Sequence, residues 1–162
     1  MPLEIILFSA TVGLPLGALY AYHRLVLKKQ YQFKKTDLLV PLSAGVLQLL
    51  AANIPYLFLE RLPANFLHHA IGGGVVVAII ALYFQSRVWP HQTWTIQACF
   101  VLAVVNILGN ANEILELAAE LATGTIYIAN KFDTNIDLVA NNLGAAVGFG
   151  IIMLLRQLKK AK

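Results

Sequence analysis

Long apolar segments alternate with short polar ones along the whole chain. A helix needs about 20 consecutive, mostly apolar residues to cross the core of a bilayer. Five segments approach this length: Leu3–Tyr22, Leu38–Leu59, about Leu67–Phe84, Trp94 to about Leu108 with helical character continuing to Gly124, and Leu138–Leu155. The pattern predicts an all-α, polytopic membrane helix bundle of about five transmembrane helices, numbered here as spans 1 to 5.

Composition supports the membrane class. Hydrophobic residues make up 59 % of the 162 residues and charged residues 12 %, with a mean hydropathy of +0.70. Soluble domains carry roughly 25 % charged residues, about twice this share. Because repeats, low-complexity tracts and linker-like segments are not evident, residues 1–162 are expected to form a single transmembrane helical-bundle domain.

The distribution of basic residues predicts the orientation, since Lys and Arg collect in short cytoplasmic loops. Most of them follow spans 1, 3 and 5: Arg24, Lys28, Lys29, Lys34, Lys35, Arg87, Arg156, Lys159, Lys160 and Lys162. Only Arg61 and Lys131 fall in the other two loops. We therefore expect a multi-pass protein of the cell (inner) membrane, with its N-terminus outside and its C-terminus cytoplasmic. The net charge of +4 reflects this topology, and nucleic acid is not an expected partner.

Polar residues of spans 3, 4 and 5 fall at the same end of the predicted bundle, toward the outer leaflet. They are His68 and His69 of span 3, Glu113, Glu116 and Glu120 of span 4, and Asp133 and Asp137 of span 5. Asn106, Asn110 and the three glutamates share an arc of roughly 120° on one helix face. Ionisable residues within a membrane are costly, so these residues are candidates for a binding site.

Span 5 presents a second stripe with a helical period. Asp133, Asp137, Asn141, Gly144 and Gly148 lie within about 80° of one another. The two glycines form a GxxxG strip, which allows a neighbouring helix to approach closely. We expect this face to point inward and to bring Asp137 and Asn141 toward the glutamates.

Each candidate also has a purely structural interpretation. Thr134 and Asp137 match a capping box at the start of a helix, and Asn141 suits a hydrogen bond between helices. The glutamates fit an amphipathic helix lying in the membrane interface. The histidines fit side chains that extend from the membrane to its interface.

Three kinds of chemistry are compatible with a cluster of His69, Glu116 and Asp137. Carboxylates and imidazole bind divalent cations, although no fixed metal-binding spacing such as HExxH occurs. A carboxylate beside a histidine can act as a general base or relay protons. A nucleophile motif such as GxSxG is missing from the sequence, so the sequence indicates a site more clearly than a reaction.

The carboxyl half, "NEILELAAELATGTIYIANKFDTNIDLVANNLGAAVG", resembles the VanZ-like and YjdF-like small integral membrane proteins. The shared features are a late glutamate (Glu113 or Glu116), an acidic pair (Asp133 and Asp137), a preceding basic residue (Lys131) and an N-x-x-G-A signature (Asn141, Gly144 and Ala145). Upstream, "NFLHHAIGG" resembles the family's D-x-x-x-H, with Asn65 replacing the acid and His69 as the histidine. The resemblance implies an integral membrane protein, some relatives of which are linked to glycopeptide resistance, without implying a reaction.

The leading hypothesis is a pocket near the outer leaflet that binds a lipid head group, a cell-envelope precursor or a cation. Its candidate residues are His68, His69, Asn110, Glu113, Glu116, Asp133, Asp137 and Asn141, with Gly144 and Gly148 serving helix packing. One alternative is a structural or interaction protein without ligand chemistry. The other is a membrane-embedded hydrolase or transferase that uses a carboxylate and a histidine. Beyond the lipid bilayer, no partner, cofactor or oligomeric state follows from the sequence.

Overall fold

A computed structural model describes residues 34–124 and 131–161, and every regular element in these ranges is helical. We number the helices α1 (Lys35–Asn53), α2 (Pro55–Phe58), α3 (Arg61–Val88), α4 (Trp94–Thr123) and α5 (Lys131–Lys160). Span 1 lies outside the described residues. Helices α1 and α2 together correspond to span 2, and α3, α4 and α5 correspond to spans 3, 4 and 5.

Four helical segments in the described part of the chain are long and apolar enough to cross a bilayer. They are Lys35–Phe58, Arg61–Val88, Trp94–Thr123 and Thr134–Lys159, with mean hydropathies of 1.6 to 1.9. At 1.5 Å per residue, the 30-residue α4 is about 45 Å long, which exceeds the roughly 30 Å hydrocarbon core. These helices indicate a multi-pass membrane protein, and many of their large apolar side chains point outward.

The two ends of α1 are set by local chemistry. At its start, the Asp37 carboxylate accepts a hydrogen bond of 2.7 Å from the Lys34 backbone N–H. At its end, Pro55 interrupts the helix after Asn53 and occupies the first position of the one-turn α2. A proline lacks the backbone N–H that helix continuation requires. Span 2 is therefore interrupted at Ile54, near its C-terminal end, and its last helical residue is Phe58.

Helix α3 is longer than span 3 and contains a wider central segment. It begins at Arg61, so His68 and His69 lie about two turns inside the helix rather than at its start. From His69 to Val76 the backbone follows a π-helix, with hydrogen bonds from residue i to i+5. This segment contains Gly72–Gly74, and π-helical turns within α-helices are frequent at functional sites.

The apolar core lies around α3. Val77, Ala78, Ala81 and Leu82 of α3 pack against α4 and α5 in one buried cluster, which also contains Val101, Val105, Ala145 and Met153. A smaller cluster joins Ala44 of α1 to Val76 and Ile80. Helix α3 is therefore the central helix of the described bundle, and the other long helices position their side chains relative to it.

Helices α3 and α5 cross at very short range through glycines. A Cβ atom added to Gly144 would lie 1.8 Å from the Ala70 carbonyl oxygen, and one added to Gly74 would lie 2.6 Å from Gly144 Cα. Gly148 is also close, since its added Cβ would lie 3.1 Å from Val75 Cα. The GxxxG strip of α5 therefore faces the π-helical segment of α3.

The start of α5 differs from the capping prediction. The helix already begins at Lys131, three residues before Thr134, so Thr134 to Asp137 lie within it. The predicted capping box is wrong because these residues no longer face the unpaired backbone N–H groups of a helix start. Helix α4 ends at Thr123 and is followed by the cap residue Gly124, whose φ of +69° suits glycine.

Candidate functional site

A buried cluster of ligand-type side chains lies where α3, α4 and α5 meet. His69 of α3, Glu113 of α4 and Asp137 of α5 each place one nitrogen or oxygen atom within 4.8 Å of the others. His69 Nε2 is 3.4 Å from Asp137 Oδ2. The three residues are only 9 %, 8 % and 4 % exposed, so bulk water does not separate their charges. We call these three residues the triad.

Asn65, one turn before His69 on α3, holds the other oxygen of Asp137. Its side-chain N–H donates a hydrogen bond of 2.8 Å to Asp137 Oδ1. The Asn65 carbonyl oxygen in turn accepts one of 3.1 Å from the hydroxyl of Tyr56, an exposed residue of α2. A chain of polar contacts thus runs from the edge of the bundle to the triad.

Asn141 lies one turn after Asp137 on the same face of α5. It is 3 % exposed, and its side chain interacts with that of His69. Among the residues that the structure describes, its Oδ1 has no hydrogen-bond partner of regular geometry. The Asn141 side chain fits because residues 73 and 109 are glycines. A Cβ atom at Gly73 would lie 1.9 Å from Oδ1, and one at Gly109 would lie 3.0 Å from Nδ2, so either would crowd the amide.

The electrostatics of the triad favour a positive occupant. Two ionised carboxylates this close repel each other, and burial weakens the screening by water. A proton shared between Glu113 and Asp137, a protonated His69 or a bound cation would each relieve the repulsion. An imidazole and two carboxylates from three helices also form a donor set that divalent metal ions use.

Several predicted site residues lie beside the triad and not in it. Glu116 is half-buried and accepts a hydrogen bond of 2.7 Å from Asn112 of its own helix, so Glu113 takes the position that the sequence suggested for Glu116.

The other predicted residues also lie outside the triad or outside the described residues. Asn110 is exposed and donates to the Asn106 carbonyl oxygen. The His68 ring lies 5.1 Å from the His69 ring, centroid to centroid. The side chain of Asp133 lies outside the described residues.

Two of the structural alternatives can now be compared with the geometry. Helix α4 is continuous from Trp94 to Thr123, and Glu113 is buried against α3 and α5, so the glutamate stripe does not form a separate interfacial helix. His69 is also buried, which is inconsistent with a side chain that extends to the interface. An interhelical role for Asn141 agrees with its position between Gly73 and Gly109.

A second polar cluster, not recognised in the sequence, lies at the opposite end of α3. Asp37 is fully buried and accepts hydrogen bonds from Arg87 Nε at 2.9 Å and Nη2 at 3.1 Å, and from the Tyr83 hydroxyl. Helices α5 and α4 are also linked, by a hydrogen bond of 2.8 Å that Arg156 Nη1 donates to Gln97 Oε1. The donors around Asp37 balance its charge, so this cluster joins α1 to α3 and leaves the triad as the better ligand site.

Replacing Asn65 tests its support of Asp137. Asn65→Leu removes the donor to a buried carboxylate oxygen, and we expect the free energy of unfolding to fall by about 1–3 kcal/mol. The matched control is Asn53→Leu, because Asn53 is exposed and, among the described residues, its side chain donates to the Leu49 carbonyl oxygen of its own helix. Unfolding by SDS in mixed micelles, followed by circular dichroism, measures both. Equal losses in the two variants would contradict the role assigned to Asn65.

Comparisons with protein-family models, with curated proteins and with solved structures gave no match.

Proposed function

We propose that this chain is a five-span inner-membrane protein, with its N-terminus outside and its C-terminus cytoplasmic, that binds a divalent cation at the triad. The observation that carries the proposal is the approach of His69, Glu113 and Asp137 to within 4.8 Å of one another inside the bundle. A divalent cation neutralises two carboxylates beside a neutral imidazole. It therefore removes the repulsion that burial would otherwise impose.

A bound cation would also allow this site to bind the phosphate groups of the lipid head groups and envelope precursors that the sequence suggests as ligands. Phosphate groups are repelled by carboxylates unless a cation lies between them. A lipid head group or precursor phosphate would accordingly bind through the metal, at a coordination position that the protein leaves open. In the proposed orientation the triad lies nearer the outer leaflet, where such ligands are accessible.

The geometry agrees with the resemblance to VanZ-like and YjdF-like proteins. The residues that carry the resemblance come from distant parts of the sequence, and four of them meet: His69, Glu113, Asp137 and Asn141. Asn65, at the family's acidic position, donates to Asp137. An amide at this position is compatible with two neighbouring carboxylates, because it donates a hydrogen bond and adds no negative charge. We propose membership of this family on that basis.

A second candidate function is acid–base catalysis in a membrane-embedded hydrolase or transferase. The observation that favours it is the 3.4 Å distance between His69 Nε2 and Asp137 Oδ2, which is within the range for proton transfer after a small adjustment. In this function Asp137 orients the imidazole and His69 moves the proton. A cation held by His69 and Asp137 would occupy the same side chains, so this function is an alternative to cation binding and not an addition to it.

The experiment that tests the proposal compares two glutamates one turn apart on α4. Glu113→Gln removes a triad carboxylate, whereas Glu116→Gln alters a half-buried residue outside the triad. Isothermal titration of the purified protein in detergent with MnCl2 and ZnCl2 should show one bound ion per chain. We expect Glu113→Gln to raise the Kd by at least about tenfold, as loss of metal-site partners does, and Glu116→Gln to leave it within about twofold of the wild-type value.

Either of two results would contradict cation binding. One is an absence of saturable binding by the wild-type protein, and the other is an equal Kd for wild-type and Glu113→Gln. If Glu113→Gln lowers the thermal midpoint without altering any binding, the triad has the structural role that the sequence also allowed.

A further inference from the structure

We propose that Asn141 supplies a fourth ligand oxygen and thereby makes the site selective for an oxygen-preferring divalent cation of the Mn²⁺ class. This inference rests on the proposed cation site and identifies the kind of ion that occupies it. The triad alone provides one nitrogen and two carboxylate donors. Addition of an amide oxygen gives three oxygen donors to one nitrogen.

The first support is the state of the Asn141 side chain. A buried amide oxygen ordinarily accepts a hydrogen bond, because leaving it without one costs free energy. Asn141 is 97 % buried (3 % exposed), yet its Oδ1 has no regular partner in the described part of the chain. Asn141 lies one turn after Asp137, a member of the triad, on the same face of α5. A cation at the triad would provide the acceptor oxygen with its missing partner.

The second support is the space that two other helices leave for this amide. Gly73 of α3 and Gly109 of α4 flank it, and a methyl group at either position would press on it, at 1.9 Å from Oδ1 and 3.0 Å from Nδ2. Asp137 and Asn141 are four residues apart on α5, so both project toward the same side. The packing of three helices therefore holds the Asn141 amide between Gly73 and Gly109, each of which lies one helical turn from a triad residue of its own helix.

The chemistry of the four donors distinguishes between metal ions. Zn²⁺ prefers four ligands and binds imidazole and thiolate well, whereas Mn²⁺ favours carboxylate, carbonyl and water oxygens in a six-coordinate shell. A neutral amide adds a ligand without adding charge, so two carboxylates and one divalent ion remain neutral in total. Zn²⁺ can still bind more tightly in absolute terms. The effect proposed for Asn141 is therefore on the ratio of the Mn²⁺ affinity to the Zn²⁺ affinity.

The test compares wild-type protein with Asn141→Leu, which is similar in size but lacks the oxygen, and Asn141→Asp, which keeps it. Binding of Mn²⁺ is followed by electron paramagnetic resonance and binding of Zn²⁺ by competition with a chromophoric chelator. For Asn141→Leu we expect the Kd for Mn²⁺ to rise on the order of tenfold more than the Kd for Zn²⁺. Asn141→Asp should retain Mn²⁺ binding.

A second pair of variants keeps the test decisive if Asn141→Leu does not fold. Gly73→Ala displaces the amide without removing a ligand, and Gly150→Ala on α5 is its control, because no atom lies within 4 Å of an added Cβ there. Gly73→Ala should shift the Mn²⁺ to Zn²⁺ ratio in the same direction, and Gly150→Ala should not.

The outcomes separate this inference from the proposed function. If the wild-type protein binds neither ion, the cation site itself is wrong. If it binds and Asn141→Leu changes both Kd values equally, or neither, then Asn141 is not a selective ligand although the triad binds metal.

Discussion

Gly144→Ala is expected to lower the free energy of unfolding by about 3 kcal/mol, the upper part of the usual range for overpacking. The added methyl would lie 1.8 Å from the Ala70 carbonyl oxygen and 3.0 Å from its Cα. These are backbone atoms of α3, so no side chain can rotate to make room, and the two helices must separate. SDS-induced unfolding in mixed micelles measures the loss.

The control for Gly144→Ala lies on the same helix. Gly150→Ala introduces the same methyl where no atom lies within 4 Å. It should leave stability unchanged or raise it by up to about 1 kcal/mol, because Ala favours a helix more than Gly does. If Gly144→Ala behaves like Gly150→Ala, the close crossing of α3 and α5 does not occur in the folded protein.

Arg87→Leu is the second substitution with a large expected effect. It removes both guanidinium donors, and with them the positive charge of Arg87, from a fully buried carboxylate. Such a change costs about 3–5 kcal/mol in other proteins, and we expect a loss near 3 kcal/mol here because the Arg87 side chain is 21 % exposed. The same unfolding experiment applies.

A double variant shows whether the buried charge causes the loss. Asp37→Asn combined with Arg87→Leu removes the charge and keeps one of the two acceptor oxygens, for the Lys34 N–H, while the amide NH2 can donate to the Tyr83 hydroxyl. We expect it to recover at least half of the stability lost by Arg87→Leu. Arg156→Leu is a further control that removes a link to the neutral Gln97 and should cost only about 1 kcal/mol. If Arg87→Leu is no worse than Arg156→Leu, the charge balance at Asp37 is unimportant for stability.

Apolar patterning predicts the described helices well, because the requirement to bury backbone polar groups in a bilayer leaves helices as the favoured elements. The start of span 4 at Trp94 agrees with α4. The details that differ depend on local chemistry. Pro55 ends α1 earlier than the apolar segment of span 2 ends, and α3 begins at Arg61, about six residues before the apolar segment of span 3. The π-helical segment of α3 is too short for a characteristic spacing of apolar residues, so the sequence alone does not reveal it.

The sequence indicates the helix faces that carry the candidate site but not which glutamate lies with His69 and Asp137. The stripe on span 4 contained both Glu113 and Glu116, and a width of roughly 120° could not distinguish them. The choice depends on how α4 rotates about its axis, which is set by its packing against α3 and α5. The sequence draws attention to Asn65 only because it replaces the acidic residue of the family's D-x-x-x-H motif. Its i to i+4 spacing from His69 was the signal that both face the same neighbour.

The Asp37–Arg87 pair was missed for a different reason. Asp37 stands beside a run of lysines near the start of α1, and Arg87 was counted with the cytoplasmic loops. Their separation of 50 residues gives no periodic signal. Only the antiparallel packing of α1 and α3 brings the two charges to the same end.

The Asp37–Arg87 pair also has a consequence for how the chain reaches the membrane. Positive charges guide each loop during insertion, whereas acidic residues contribute little. In the orientation proposed above, Arg87 would hold its loop on the cytoplasmic side with its full charge while the nascent helices are still separate. Once α1 and α3 pack together, Asp37 neutralises that charge. In that orientation the Arg87 guanidinium would act first as an orientation signal and later, paired with Asp37, as a link between α1 and α3. Asp37 would contribute little until the two helices pack.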